Sequence, residues 1–293
     1  MSPSAAPADA GPEPMTASTR AGTVVITYIS DHVDALNRAI AAFERQAPGS
    51  AGAVRVTIHR LRTVIRGYSH LFTKTPPRSQ ELDHLLEALK RTEDLERLRV
   101  HFSDRFDQLG LVTPEYPKWY GALEDEMRES YLDTEGVASQ TWVAVLLEQV
   151  RLFTEHAQFT RDGDKPASSL MGFLSQTKNH LLETYGKLSY ATDLVLARDE
   201  TRIAAREAHY LAEAAAPALG ATGAEIVSRV ADLEHLLDRY RQAVIARNWL
   251  TRLPGADRAD RLTASLAELE KQHLHQLGED IDRAASDMAE RWK

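Results

Sequence analysis

The stretch RVTIHRLRTVIR, residues 55–66, decides how the rest of the chain is read, because two stripes run along it side by side. At about 100° per residue, Ile58, Leu61 and Ile65 share one stripe that continues to Tyr68 and Phe72, while Arg55, His59, Arg62 and Arg66 fall within about 60° of one another on a second. Apolar residues at three- and four-residue spacing call for a helix packed on a core. The bordering stripe is cationic: from Arg45 to Arg78 there are seven Lys or Arg and no Asp or Glu. A solvated helix face would be the plain explanation, but such faces usually mix signs, since opposite charges four residues apart relieve self-repulsion. Nothing on this helix does so. Another helix or an anionic ligand must.

Outward from this stretch the same periodicity recurs almost everywhere, with Gly and Pro confined to short connections, so the expected class is all-α. Helices are expected at about 24–46, 51–72, 79–109, 117–132, 139–159, 167–197, 200–219, 224–253 and 258–292. Ser50 and Ser79 are expected N-caps, and Gly110 and Gly220 expected stops. Between Gly186 and Pro217 no breaker stands out, and the boundary there is placed near residue 198. Long helices with short connections pack antiparallel in bundles.

The cationic layout returns 147 residues later in RIAAREAHYLAE, residues 202–213. Arg55 corresponds to Arg202, His59 to Arg206, Arg62 to His209 and Arg66 to Glu213, while Ile58, Leu61 and Ile65 correspond to Ala205, Ala208 and Ala212. An internal duplication is one reading and coincidence in an Arg- and Ala-rich helical chain the other. Duplication implies two four-helix-bundle-like halves, 23–135 and 136–293, related by an approximate two-fold axis, with the cationic stripes in equivalent positions. Residues 1–22, rich in Ala, Pro, Ser and Thr, are expected to form a disordered tail.

These residues resemble the CHAD family, the conserved histidine α-helical domain. Its first motif, His-x-x-Arg-Val-x-x-Arg-Arg-x-Arg, is met by GAVRVTIHRLR at Arg55, Val56, Arg60 and Arg62, with Gly52 at the histidine and His59 at an arginine. Its second, His-x-x-Arg-x-x-x-Lys-Arg-x-Arg-Tyr-x-x-Glu, is met by DETRIAAREAHYLAE at Arg202, Arg206, Tyr210 and Glu213, with Asp199 at the histidine and Glu207 and His209 at arginines. EDLERL (93–98) and RQAVIARNWL (241–250) are similar to the helices that follow the motifs. The resemblance implies a basic surface between or across two halves that binds inorganic polyphosphate, often at polyphosphate granules and beside granule proteins. Arg55, Arg60, Arg62, Arg66, Arg202 and Arg206 would be the main contacts, and His59, Lys178 and His209 secondary ones. Arginine suits this ligand because its planar fork donates two parallel hydrogen bonds to phosphate oxygens. Asp199 and Glu207 add negative charge beside the second stripe, so a helical scaffold or granule-associated interaction module that has lost most anion binding is the alternative. His59 and His209 are expected to titrate near neutrality and to strengthen binding as pH falls.

Other chemistries find little support. Two Glu-x-x-His strings, Glu81 to His84 and Glu270 to His273, do not make a four-carboxylate metal site, and no metal or cofactor is expected. EDEMR (124–128) alternates its acids within a helical stretch, where they diverge. There is no Walker loop, nucleophile elbow or cysteine, so no enzyme is expected and no catalytic residue is assigned. The net charge of −8 and the lack of aromatics among the stripe arginines disfavour nucleic acid. No apolar run approaches the roughly eighteen residues of a membrane span. The expected location is the cytoplasm, and the resemblance implies association with polyphosphate granules there.

Overall fold

Helix α2 (Ser50–Gly67) follows from the opening stretch: Val54, Ile58, Leu61, Val64 and Ile65 are buried on one side, and the cationic row borders them. The computed structural model describes residues 14–74, 80–112, 115–138 and 140–291. Around α2 stand α1 (Ala21–Glu44), α3 (Gln80–Ala88), α4 (Lys90–Gln108), α5 (Lys118–Ala138), α6 (Thr141–Glu155), α7 (Leu170–Gly186), α8 (Leu194–Arg252), the short α9 (Gly255–Ala259) and α10 (Arg261–Arg291). The fold is all-α. Among the described residues no strand forms, and extended pairing is limited to the bridges Arg20–Pro166 and Phe72–Phe159.

What brings the two repeated stretches together is small side chains. In the same core cluster as the isoleucines and leucines of α2, helix α8 buries Ala212 and Ala215, so the two backbones can approach, while Ala204, Ala205 and Ala208 are buried in the cluster with α7 and α10. At Gly67 a Cβ would stand 2.5 Å from Leu211 Cδ2, so any larger residue there would have to push that buried side chain aside. Next to it the fully buried Tyr68 donates its hydroxyl to the Leu211 carbonyl at 2.8 Å, which satisfies a polar atom that would otherwise be orphaned. The rest of the core divides into a cluster around α1 and α2, one between α7, α8 and α10, and one between α4, α5, α8 and α10.

Several expected boundaries move. The helix break placed near 198 lies at 187–193, where a 3-10 turn (Lys187–Tyr190) follows Gly186 and Asp193 caps α8 by accepting from the Val195 and Leu196 amides at 3.0 Å. Gly220 does interrupt the helix, dividing α8 into 194–219 and 221–252 with φ 59° and ψ −137°, and Gly110 ends α4 at φ 69°. Ser50 is not a cap: Gly49 takes that position in the left-handed region, and Ser50 turns its hydroxyl to Tyr131 at 3.3 Å. Ser79 lies outside the described residues. The expected 1–22 tail is also too long. Residues 1–13 lie outside the description, but beyond them the Thr19 carbonyl accepts from Ala167, Ala17 accepts from Ser168, and Ala21 donates to Lys165, so this segment is tied down by backbone hydrogen bonds. The division at 135/136 falls inside α5, and the core around α1 and α2 takes in Val143, Leu146 and Val150 of α6 together with α8 residues up to Ile226. Apolar burial therefore runs across that position.

Candidate polyanion groove

The cationic rows of α2 and α8 do meet. A groove of about 440 Å³ lies between them, lined from α2 by Arg55, His59, Arg62 and Arg66 and from α8 by Arg202, Arg206 and Arg241, with Lys90 at the start of α4 closing one side. Five of these seven cations, Arg55, Arg62, Arg66, Arg202 and Arg206, belong to the two expected stripes; Lys90 and Arg241 were not expected. Their signal was in the chain, since both sit on the helices that follow the two motifs, at KRTEDLERL and RQAVIARNWL.

The arginines are not free. Arg55, 8% exposed, is held by Glu93, which also takes Arg97 at 2.7 Å. Arg62 pairs with Asp83 at 2.9 Å and Arg66 with Glu207 at 3.1 Å. Arg202, 4% exposed, pairs with Asp199 at 2.9 Å and Asp238 at 3.4 Å, and Arg241 reaches Asp199 at 3.7 Å. Arg206 bonds Glu234 at 3.0 Å and Asp238 at 2.8 Å. Asp83, Glu87 and Glu207 line the groove itself, while Glu93, Asp199, Glu234 and Asp238 bond its arginines from behind or beside. Seven cations thus face a comparable number of carboxylates. The cationic row of α2 is relieved from other helices of the same chain, with Glu93 38 residues beyond Arg55, and the row of α8 by Asp199 beside it and by Asp238, 36 residues beyond Arg202.

Titration follows this layout. Burial pushes the Asp238 carboxyl up, but Arg206, Arg202 and Arg97 outweigh it and hold the group below its ordinary value. Burial alone would lower Arg206, yet Asp238, Tyr210 and Glu234 raise it. His59 is pushed down to about 3, first by burial and then by Arg206, Arg55, Arg62 and Arg202. The expectation that it titrates near neutrality is therefore corrected: buried and packed among four guanidinium groups, the ring is kept from taking a further positive charge and is neutral at physiological pH.

Three expected contacts stand elsewhere. Arg60 projects away from the groove, bonding Glu213 at 3.0 Å with its guanidinium 5.0 Å from the Tyr210 ring centre, while Tyr28 donates to Glu213 at 3.2 Å. Tyr210 and Glu213, matched by motif, thus serve an α1–α2–α8 junction. His209 is bonded to Glu234 at 2.5 Å and is absent from the groove lining. Lys178 sits half-buried on α7, likewise outside it. Of the two Glu-x-x-His strings, Glu270 is fully buried and bonds His101 at 2.8 Å and Arg105 at 2.7 Å, while His84 is exposed beside Trp142. Among the described residues no group of three or more His, Asp or Glu is placed to hold a metal ion, and no helix is long and apolar enough to cross a membrane.

An all-helical fold with two Arg-bearing helices converging on one groove is the architecture the motifs imply, and the chain belongs to the CHAD domain family, whose model matches residues 27–251. Two solved structures share the fold. PptA from Streptomyces chartreusis is similar with a TM-score of 0.66 and 14% identity, over 91% of this chain and 99% of that one. The CHAD domain from the plant Ricinus communis is similar with a TM-score of 0.62 and 16% identity, over 98% of this chain and 92% of that one. No curated protein matches.

Proposed function

We propose that this chain binds inorganic polyphosphate in the groove between α2 and α8, and acts by binding rather than by catalysis. The convergence of both arginine rows on one groove carries the reading. Internal carboxylates cancel much of the charge there, but charge and hydrogen-bonding capacity are separate. A guanidinium has five N–H donors, and one or two salt bridges leave the others to offer. Arg55 Nη1 is buried with no hydrogen-bond partner. Arg66, whose side chain is 62% exposed, is the most accessible groove arginine and is placed to make first contact. Attachment to polyphosphate granules, and contact with the proteins on them, would follow from the same groove. RNA shares the phosphate chemistry, yet among the described residues no Phe, Tyr or Trp lines the groove to stack a base.

A second reading, a helical interaction scaffold, is favoured by one observation: Tyr190, in the turn before α8, and Leu194, Val195, Leu196 and Ile203 along its start are exposed. Titration with long-chain polyphosphate at two salt concentrations, against charge-matched RNA, separates these. The groove reading expects saturable polyphosphate binding that survives RNA, weakens with salt, and is reduced by Arg62→Ala combined with Arg66→Ala. No saturable binding by wild type at low salt would leave the scaffold.

A further inference from the structure

A second cavity, of about 550 Å³, opens between the start of α2, α4, α5 and the middle of α8, and it shares no lining residue with the groove. Its charge state is the reverse of the groove's. Of the three carboxylates that line it, two are already engaged. Glu96, 7% exposed, accepts from the Ala51 and Gly52 amides at 3.4 and 3.0 Å and from the Tyr131 hydroxyl. Asp238 is taken by Arg202 and Arg206. By contrast Arg99 and Arg239, both lining the cavity, have no salt-bridge partner among the described residues. Gln242 adds an amide nitrogen that is buried without a hydrogen-bond partner.

The remaining wall is apolar, from Pro48, Val100, Met127 and the Tyr131 ring. Gly52 helps to leave the space open: a Cβ there would come no closer than 3.7 Å to Glu96. A bare phosphate chain gains nothing from such a wall. A cavity of a few hundred Å³ with apolar sides and a few convergent donors suits a small molecule instead.

We infer that this cavity binds a small organic anion, its acidic group on Arg99 and Arg239 and its apolar body against Val100, Met127 and Tyr131. The inference stands independently of polyphosphate binding. The test is a fluorescence titration with 8-anilinonaphthalene-1-sulfonate, a sulfonate on an aromatic body, in wild type, in Arg99→Ala/Arg239→Ala, and in Gly52→Leu, which puts a side chain into the cavity. Thermal melts establish that each variant is folded. Expected are one site per chain in wild type and affinity reduced roughly tenfold or more in the double variant, from the loss of two charge-assisted contacts. Gly52→Leu is expected to weaken the dye as well. Equal binding by wild type and the double variant would overturn the assignment. So would displacement of the dye by inorganic phosphate at equal concentration, because a charge alone would then suffice. Unchanged dye binding in Arg62→Ala/Arg66→Ala is expected, whatever that variant does to polyphosphate.

Discussion

If the groove's own carboxylates hold its affinity down, removing the two that pair with Arg62 and Arg66 should raise it. Asp83→Asn with Glu207→Gln keeps side-chain shape and the capacity to accept from Arg62 and Arg66, but deletes two negative charges from the lining. Both pairs are partly exposed, with side-chain exposures of 34% and 43% for Arg62–Asp83 and 62% and 28% for Arg66–Glu207, so each contributes about 0–1 kcal/mol to stability and the double variant should remain folded. Among the described residues the groove would then present seven cations with Glu87 as the remaining lining carboxylate. At solvent-like dielectric a unit charge a few ångströms from a phosphate is worth about 1 kcal/mol, so two deletions yield about 2 kcal/mol, roughly thirtyfold in affinity at low salt. With about 0.7 counterions released per phosphate engaged on a single-stranded polyanion, the slope of log affinity against log salt should steepen by about 1.4. Calorimetric or fluorescence titration with long-chain polyphosphate between about 50 and 200 mM salt reads both numbers. An unchanged low-salt affinity together with an unchanged slope would refute the reasoning, since the freed arginines would not then be phosphate contacts.

Three further outcomes concern the frame. Glu270→Ala, which strips a fully buried carboxylate from Arg105 and His101, should cost about 3–5 kcal/mol by urea denaturation while leaving polyphosphate affinity unchanged. Folded-state depression of His59 to about 3 and of His273 to about 4, both chiefly by burial, means the unfolded chain takes up protons first as pH drops; stability present above about pH 6.5 should be lost below it, and His59→Asn should flatten a plot of Tm against pH from 7.5 to 5. A Tm that rises on acidification, or an unaltered profile in the variant, would contradict this. Gly220→Ala forces a Cβ into φ 59°, ψ −137°, a region essentially reserved for glycine, and should lower stability by about 1–3 kcal/mol in the same denaturation assay.

Much of this was legible in order along the chain. The stripe Ile58, Leu61, Ile65 could only be the buried face of a helix, and Arg55, His59, Arg62 and Arg66 had to share its border, because both follow from 3.6 residues per turn. The Gly220 interruption was legible too, as a residue type suited to positive φ. Asp193 was missed as a cap because attention to breakers overlooks a side chain that starts a helix by bonding two amides. The positions of Arg60 and His209 were missed because a motif gives spacing and not direction, and a turn of 100° per residue sends neighbouring arginines to different partners.

The sequence by itself determined the helical class, the two cationic rows and the departures at Gly52, Asp199 and Glu207, since each is a property of one segment and its local geometry. Only the tertiary structure decided what meets those rows. Glu93 and Asp238, each more than thirty residues from the arginine it holds, become counter-ions through the packing of α4 and α8, and Coulomb interactions depend on separation in space, not along the chain. The same packing made His59 neutral and left Arg99 and Arg239, among the described residues, without a salt-bridge partner beside a cavity with one apolar wall.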